Sequence, residues 1–166
     1  MEQIRKMTLE EAKLLDFQPY MNYYLFSPEG NCYSLKNKRS KDILYKMSPS
    51  PIKGCVFFSG DIVTANIRLD RIILAMFGEE PIDKYGSGTT SYIHLNGGNN
   101  DHSVSNISQC SMEDLRILNG TSSVKKKEEL PVLVKKLRDK KSSDGYNRRR
   151  IKNAIKHNYF PQTRRV

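Results

Sequence analysis

The residues best suited to chemistry lie in one short stretch that begins at His94. Asn96 and Gly97 follow it at offsets of two and three, Asp101 at seven and Asn106 at twelve. A histidine can take a proton from water near neutral pH, and carboxylate and amide oxygens can ligate a hard divalent cation. The set therefore suits metal-assisted hydrolysis of a phosphodiester. A strand histidine followed by an ordinary Asn- and Gly-rich turn would explain the same residues without chemistry.

The spacing resembles the HNH motif of phage and intron homing endonucleases, in which a histidine is followed by Asn-Gly, then Asp, then Asn-Leu twelve residues on. The resemblance covers roughly residues 20–118. Residues 24–35 resemble the β-hairpin that often precedes the nuclease domain. Residues 68–78 are similar to the helix before the motif, with Asp70 in place of that helix's histidine. The resemblance implies a ββα nuclease core.

The resemblance also implies roles for single residues. His94 is the candidate general base, and Asn106 is the brace of the loop that aims it. The family takes metal ligands from the position before the histidine and from the helix nine residues beyond the asparagine. This chain has Ile93 and Leu115 there, and neither side chain carries an oxygen.

Four residues near these positions could substitute as ligands for Mg²⁺ or Mn²⁺: Asp101, His102, Glu113 and Asp114. Asp101 and Asp114 are the predicted metal ligands. His102 is expected to be an exposed loop residue. Two functions stay open: an HNH endonuclease that hydrolyses DNA with a divalent metal, and a degenerate HNH-fold protein without a cofactor. The second would act as a nucleic-acid-binding, ribonucleoprotein or regulatory subunit.

Positive charge is concentrated near the C-terminus. Residues 1–123 carry 13 Lys and Arg against 14 Asp and Glu, whereas residues 124–166 carry 15 against 4, a net charge of +11. Such a segment attracts polyphosphate through counterion release. A solubilising tail, a localisation signal or a module that binds an acidic protein are the alternatives. We predict a nucleic-acid partner, DNA favoured over RNA, or a larger nucleoprotein assembly, contacted by Lys36, Lys38, Arg39, Lys41, Lys125, Lys126, Lys127, Lys135, Lys136, Arg148, Arg149, Arg150 and Lys152.

Local patterns predict an α+β fold: a small antiparallel sheet region, a ββα core near residues 66–118 and a basic, mostly helical C-terminal extension. Thr8 is a helix N-cap, and aromatic and apolar segments separated by turn residues predict hairpins. Ser111 caps a short helix. The predicted helices and strands span residues 8–16, 23–26, 32–35, 43–47, 54–58, 62–67, 68–77, 92–95, 125–141 and 146–159.

Three segments follow from this pattern: an N-terminal helical segment at 1–19, the HNH-like domain at 20–118 and the basic extension at 119–166. We expect residues 1–120 to fold without the extension, because the predicted core positions precede it. These positions are Leu25, Phe57, Ile67, Leu69, Ile72, Ile73, Met76 and Phe77.

Composition bounds the class of protein. Only 37% of the residues are hydrophobic and 28% are charged, which allows a modest core. The three cysteines, Cys32, Cys55 and Cys110, include no CxxC pair and are expected to be buried thiols. No apolar run is long enough for a membrane span and no secretory signal is evident, so we expect an intracellular protein, cytoplasmic or nucleoid-associated.

Overall fold

A computed structural model describes residues 3–36, 44–51, 54–82, 90–98, 100–121, 130–140 and 145–156. The chain has helices and small antiparallel sheets, which confirms the α+β prediction. It divides into two compact units along lines that differ from the three predicted segments. The first unit contains residues 1–87 and 99–107, and the second contains residues 88–98 and 108–166.

The first unit consists of two antiparallel sheets and two helices. A three-stranded sheet has the order β1-β2-β3, and β4 pairs with β5 as a hairpin. The predicted hairpins and the helix that ends before Gly78 are present. The elements are α1 (Leu9–Leu14), β1 (Tyr24–Phe26), β2 (Cys32–Ser34), β3 (Tyr45–Met47), β4 (Cys55–Ser59), β5 (Thr64–Arg68) and α2 (Leu69–Phe77).

Helix α1 begins at the predicted cap. The Thr8 hydroxyl accepts a hydrogen bond from the Glu11 backbone N–H, and the Glu11 carboxylate accepts one from the Thr8 backbone N–H. This capping box provides acceptors for two backbone N–H groups that have no partner within the helix at its N-terminus. Glu11 also pairs with Arg5 at 2.7 Å, which fixes the chain that leads into the helix.

Aromatic rings form the centre of the first unit. Phe17 and Phe58 meet edge to face with centroids 4.9 Å apart, and Phe26 and Tyr24 pack around them. The prediction that Phe57 lies in the core is wrong, because its side chain is 55% exposed. Successive strand residues face opposite sides, so burial of Phe58 turns its neighbour outward.

The second unit consists of a two-stranded sheet and three helices. β6 pairs with β7, and α3 packs against β6. Ser111 caps α3 as predicted, since its hydroxyl accepts a hydrogen bond from the Asp114 N–H at 3.0 Å. The elements of the second unit are β6 (Thr90–His94), β7 (Ile107–Ser111), α3 (Met112–Leu118), α4 (Leu130–Asp139) and α5 (Tyr146–Lys156). Ile107, the first residue of β7, is counted with the first unit.

The basic C-terminal helices contribute to the core of this second unit. Their apolar faces are buried together with those of the sheet and α3, so the expectation that the core positions all precede residue 120 is wrong. The spacing of the apolar residues in α4 explains this, because they recur every three or four residues along one face. The core residues are Ile93, Leu95, Cys110, Ile117, Leu118, Leu130, Leu133, Val134, Leu137 and Ala154.

All three cysteines are free thiols. Cys32 and Cys110 are buried as predicted, whereas Cys55 is partly exposed. Burial raises the pKa of the Cys32 thiol far above its ordinary value, because desolvation disfavours the thiolate. Among the helices that the structure describes, none has the length and apolar character needed to cross a membrane.

Candidate functional site

His94 is the last residue of β6, at the start of a tight turn in the second unit. Its side chain is 9% exposed, and its carbonyl accepts a hydrogen bond from the Gly97 N–H at 3.2 Å. Gly97 has φ of +81°, and a Cβ there would lie 2.8 Å from the Tyr146 ring. Asn96 closes the turn by accepting a hydrogen bond from the Gly98 N–H. The Asn-Gly pair therefore has a structural role directly after the histidine.

Asn106 and Asp101 belong to the first unit and hold one loop. The Asn106 amide donates to the Asp101 carbonyl at 2.8 Å, and its side chain is 1% exposed. The Asp101 carboxylate accepts hydrogen bonds from the backbone N–H and the hydroxyl of Ser103. Asp101 therefore uses carboxylate oxygen Oδ1 within its own loop, and Asn106 braces the same loop from its other end.

A polar cluster in the first unit contains the buried Asp70 and His102 and the Arg68 side chain, which is 40% exposed. One Asp70 oxygen lies 2.6 Å from His102 Nδ1, and the other accepts from the Arg68 guanidinium at 2.9 Å. Asp70 is fully buried and His102 is 4% exposed, so the expectation of an exposed His102 is wrong.

Two glycines make room for His102. A Cβ at Gly54 would lie 3.2 Å from its Cε1 atom, and a Cβ at Gly30 would lie 2.3 Å from its carbonyl carbon. The Asp70 carboxylate favours the tautomer that carries the proton on Nδ1, which makes Nε2 the acceptor nitrogen. A carboxylate-oriented histidine of this kind suits proton transfer or metal ligation.

Sequence reasoning did not identify the Asp70–His102 pair. The available signal was an acidic residue in the mostly apolar helix α2, whose one other charged residue is Arg71, on the face that carries Ile73. A charge in such a position is almost always paired. Its partner could not be identified from spacing, because His102 lies 32 residues further along the chain.

The two positions that the resemblance to the HNH motif would assign to metal ligands are part of the hydrophobic packing in the second unit. Ile93 is 2% exposed in the core, and Leu115 packs against the same core from α3. Asp114 is 2% exposed, and its Oδ1 has no hydrogen-bond partner among the described residues. Neither family position offers an oxygen, so the donor set there does not fit Mg²⁺ or Mn²⁺.

The cations of α5 form one exposed face in the second unit. Arg148, Arg149, Lys152 and Lys156 are all exposed, and at 100° per residue they span an arc of about 100°. The opposite side of the helix is packed, with Ala154 fully buried and Asn147 5% exposed. No residue of α5 is acidic.

Two of the residues predicted to contact nucleic acid, Arg150 and Lys36, have partners within the protein. Arg150 lies over the Tyr146 ring at 4.3 Å and donates to the Asn119 side chain at 3.0 Å. Lys36 donates to the Gly60 carbonyl at 2.7 Å. On α4, Lys135 is exposed and Lys136 is partly buried. The other predicted contacts, Lys38, Arg39, Lys41, Lys125, Lys126 and Lys127, lie outside the described residues.

Comparisons with known proteins found that no family model, no curated protein and no solved structure matches this chain.

Proposed function

We propose that the protein binds nucleic acid through the exposed cationic face of α5. The observation that carries this proposal is the position of Arg148, Arg149, Lys152 and Lys156 on one side of a packed helix. Lysine and arginine bind phosphate oxygens, and their contacts release condensed counterions.

Packing of α5 distinguishes this face from a solubilising tail. The Asn147 amide donates to the carbonyls of Leu95 and Leu137 at 2.6 and 2.8 Å, and the Asn153 amide donates to the Leu118 carbonyl. These bonds fix the helix against α3, α4 and the residue that follows β6. The four cations are therefore presented at a constant spacing, which favours a regular array of phosphates.

Salt dependence of binding tests the proposal. A triple variant with Arg148→Gln, Arg149→Gln and Lys152→Gln should bind a 20-base-pair duplex more weakly. The slope of log K against log salt should fall by about 0.9 for each lost duplex contact. Fluorescence anisotropy over a salt series measures both quantities.

A matched variant with Lys6→Gln, Lys13→Gln and Lys46→Gln removes the same charge from exposed sites of the first unit. It should retain the wild-type slope within about 0.5. Equal slopes for the two triple variants would refute binding by α5, and no measurable binding by the unmodified chain would refute nucleic-acid binding.

Phosphodiester hydrolysis is the second candidate function. Its support is the Asp70–His102 pair, together with the strand–strand–helix order of β6, β7 and α3 and the position of His94 at the end of β6. The apolar family ligand positions favour the non-enzymatic alternative.

A plasmid-nicking assay separates these alternatives. Full-length protein is assayed with Mg²⁺ or Mn²⁺ and with EDTA, beside His94→Ala and His102→Ala. Cation-dependent nicking that either substitution abolishes would support hydrolysis by the corresponding histidine. Duplex binding without nicking under all conditions would support the non-enzymatic function.

A further inference from the structure

A cleft of about 410 Å³ lies between α4 and α5 in the second unit. Three cationic residues line it: Arg138 from the last turn of α4, Lys140 just after that helix, and Arg148 from the first turn of α5. None of its lining residues is acidic. Cations gathered around a concave surface focus the electrostatic potential there, so the cleft favours an anion.

The N-terminus of α5 opens into the same cleft. Gly145, which also lines it, precedes the helix with φ of +65°. The backbone N–H groups of a first helical turn have no partners within the helix, and the helix dipole favours negative charge beside them. α5 has 11 residues, which is long enough for this effect to support the three side-chain cations.

Asn147 provides a buried hydrogen-bond acceptor, which an anion without a hydrogen-bond donor cannot satisfy. Its Nδ2 donates to the carbonyls of Leu95, Leu137 and Lys140, at 2.6, 2.8 and 3.3 Å. These acceptors fix the orientation of the amide. Asn147 is 5% exposed and lines the cleft, and its Oδ1 has no hydrogen-bond partner among the described residues. A buried acceptor of this kind favours a ligand that brings a donor.

We propose that this cleft binds one nucleotide unit of a nucleic-acid strand. The phosphate meets Arg138, Lys140 and Arg148, and a sugar hydroxyl or a base amino group donates to Asn147 Oδ1. Leu137 and Ile151 supply apolar surface to the same cleft. The volume lies within the usual range for small-molecule sites, roughly 300–1,000 Å³. This inference rests on the proposed nucleic-acid binding and deepens it, because it adds a discrete pocket to an extended cationic face.

Isothermal titration of the full chain with adenosine 5′-monophosphate, inorganic phosphate and adenosine tests the pocket. We expect the nucleotide to bind in a 1:1 ratio and at least tenfold more tightly than either fragment, because only the nucleotide supplies both the anion and the donor. Equal affinities for the nucleotide and for inorganic phosphate would overturn the proposal.

Arg148→Gln and Arg149→Gln form a matched pair of variants. Both remove one exposed cation from α5, but only Arg148 lines the cleft. Arg148→Gln should weaken nucleotide binding at least fivefold, and Arg149→Gln less than twofold. Equal losses would show that net charge alone attracts the ligand. Asn147→Ala is unsuitable as a test of ligand binding, because it also removes the hydrogen bonds from Asn147 to three backbone carbonyls.

Competition identifies the source of the nucleotide. A single-stranded hexanucleotide should displace the mononucleotide, and failure to displace it would overturn assignment to a strand in favour of a free nucleotide. Duplex binding with no nucleotide binding would contradict the nucleotide pocket and leave the proposed nucleic-acid binding by α5 intact. Nucleotide binding without any duplex or single-strand binding would instead contradict the proposed nucleic-acid binding.

Discussion

Arg150 differs from the other arginines of α5, because its guanidinium is committed to the protein. It stacks on Tyr146 and bonds to Asn119, and desolvation by burial lowers its pKa from the ordinary value. We expect Arg150→Ala to lower the free energy of unfolding by about 1–2 kcal/mol, since a partly desolvated cation–π contact is lost. Thermal melts would measure this.

Arg148→Ala is the control for this prediction. Its side chain is exposed on the same helix, so the substitution should change stability by about 0.5 kcal/mol or less. Equal melting temperatures for the two variants would contradict a structural role for Arg150.

Asp70 is fully buried in the first unit and pairs with both Arg68 and His102. Asp70→Ala would leave the buried His102 and the 40%-exposed Arg68 side chain without their shared carboxylate. The Nδ1 atom of the buried His102 would then lack its hydrogen-bond partner, which costs about 1–3 kcal/mol. Urea denaturation should show this loss, whereas Asp61→Ala, at an exposed site, should cost at most about 1 kcal/mol.

Single residues illustrate why sequence analysis predicted only part of the site. Thr8, Ser111 and the Asn96-Gly97 turn follow from local chemistry, because their partners lie within a few residues. The Asp70–His102 contact depends on tertiary packing, which local spacing does not encode. Burial of His102 likewise depends on Gly30 and Gly54, which are distant in sequence.

At the scale of elements, α4 combines a basic composition with a buried apolar face. Leu137 is fully buried in the core of the second unit, whereas Val132 on the same helix is 59% exposed. Leu137→Ala should reduce the stability of this unit by about 2–5 kcal/mol, because it leaves a cavity among packed side chains. Val132→Ala should cost about 0.5 kcal/mol or less.

Hydrogen exchange of the second-unit peptides would check this pair. A similar loss of protection for the two variants would contradict the packing of α4 into the core. The sequence predicted helices at 125–141 and 146–159, and their described parts are helical at Leu130–Asp139 and Tyr146–Lys156. The assignment of these helices to an extension was based on net charge, which does not reveal that one face of each helix is apolar enough to pack.

At the scale of the molecule, the units interleave along the chain. The first unit takes residues 99–107 from within the sequence range of the second. A sequence divides most readily into consecutive segments, so the predicted boundaries followed changes in composition. Tertiary contacts determine the units instead, and the basic helices complete a core that begins at β6.

This organisation predicts how a truncated chain of residues 1–120 behaves. All the described residues of the first unit remain, including the aromatic centre at Phe17 and Phe58, so this unit should still unfold cooperatively. The second unit loses α4 and α5, and Ile117 and Leu118 lose part of their packing. Hydrogen exchange should therefore show retained protection in residues 54–77 and a large loss in residues 107–118, compared with the full chain. Full protection of residues 107–118 in the truncated protein would show that β6, β7 and α3 are stable without the basic helices.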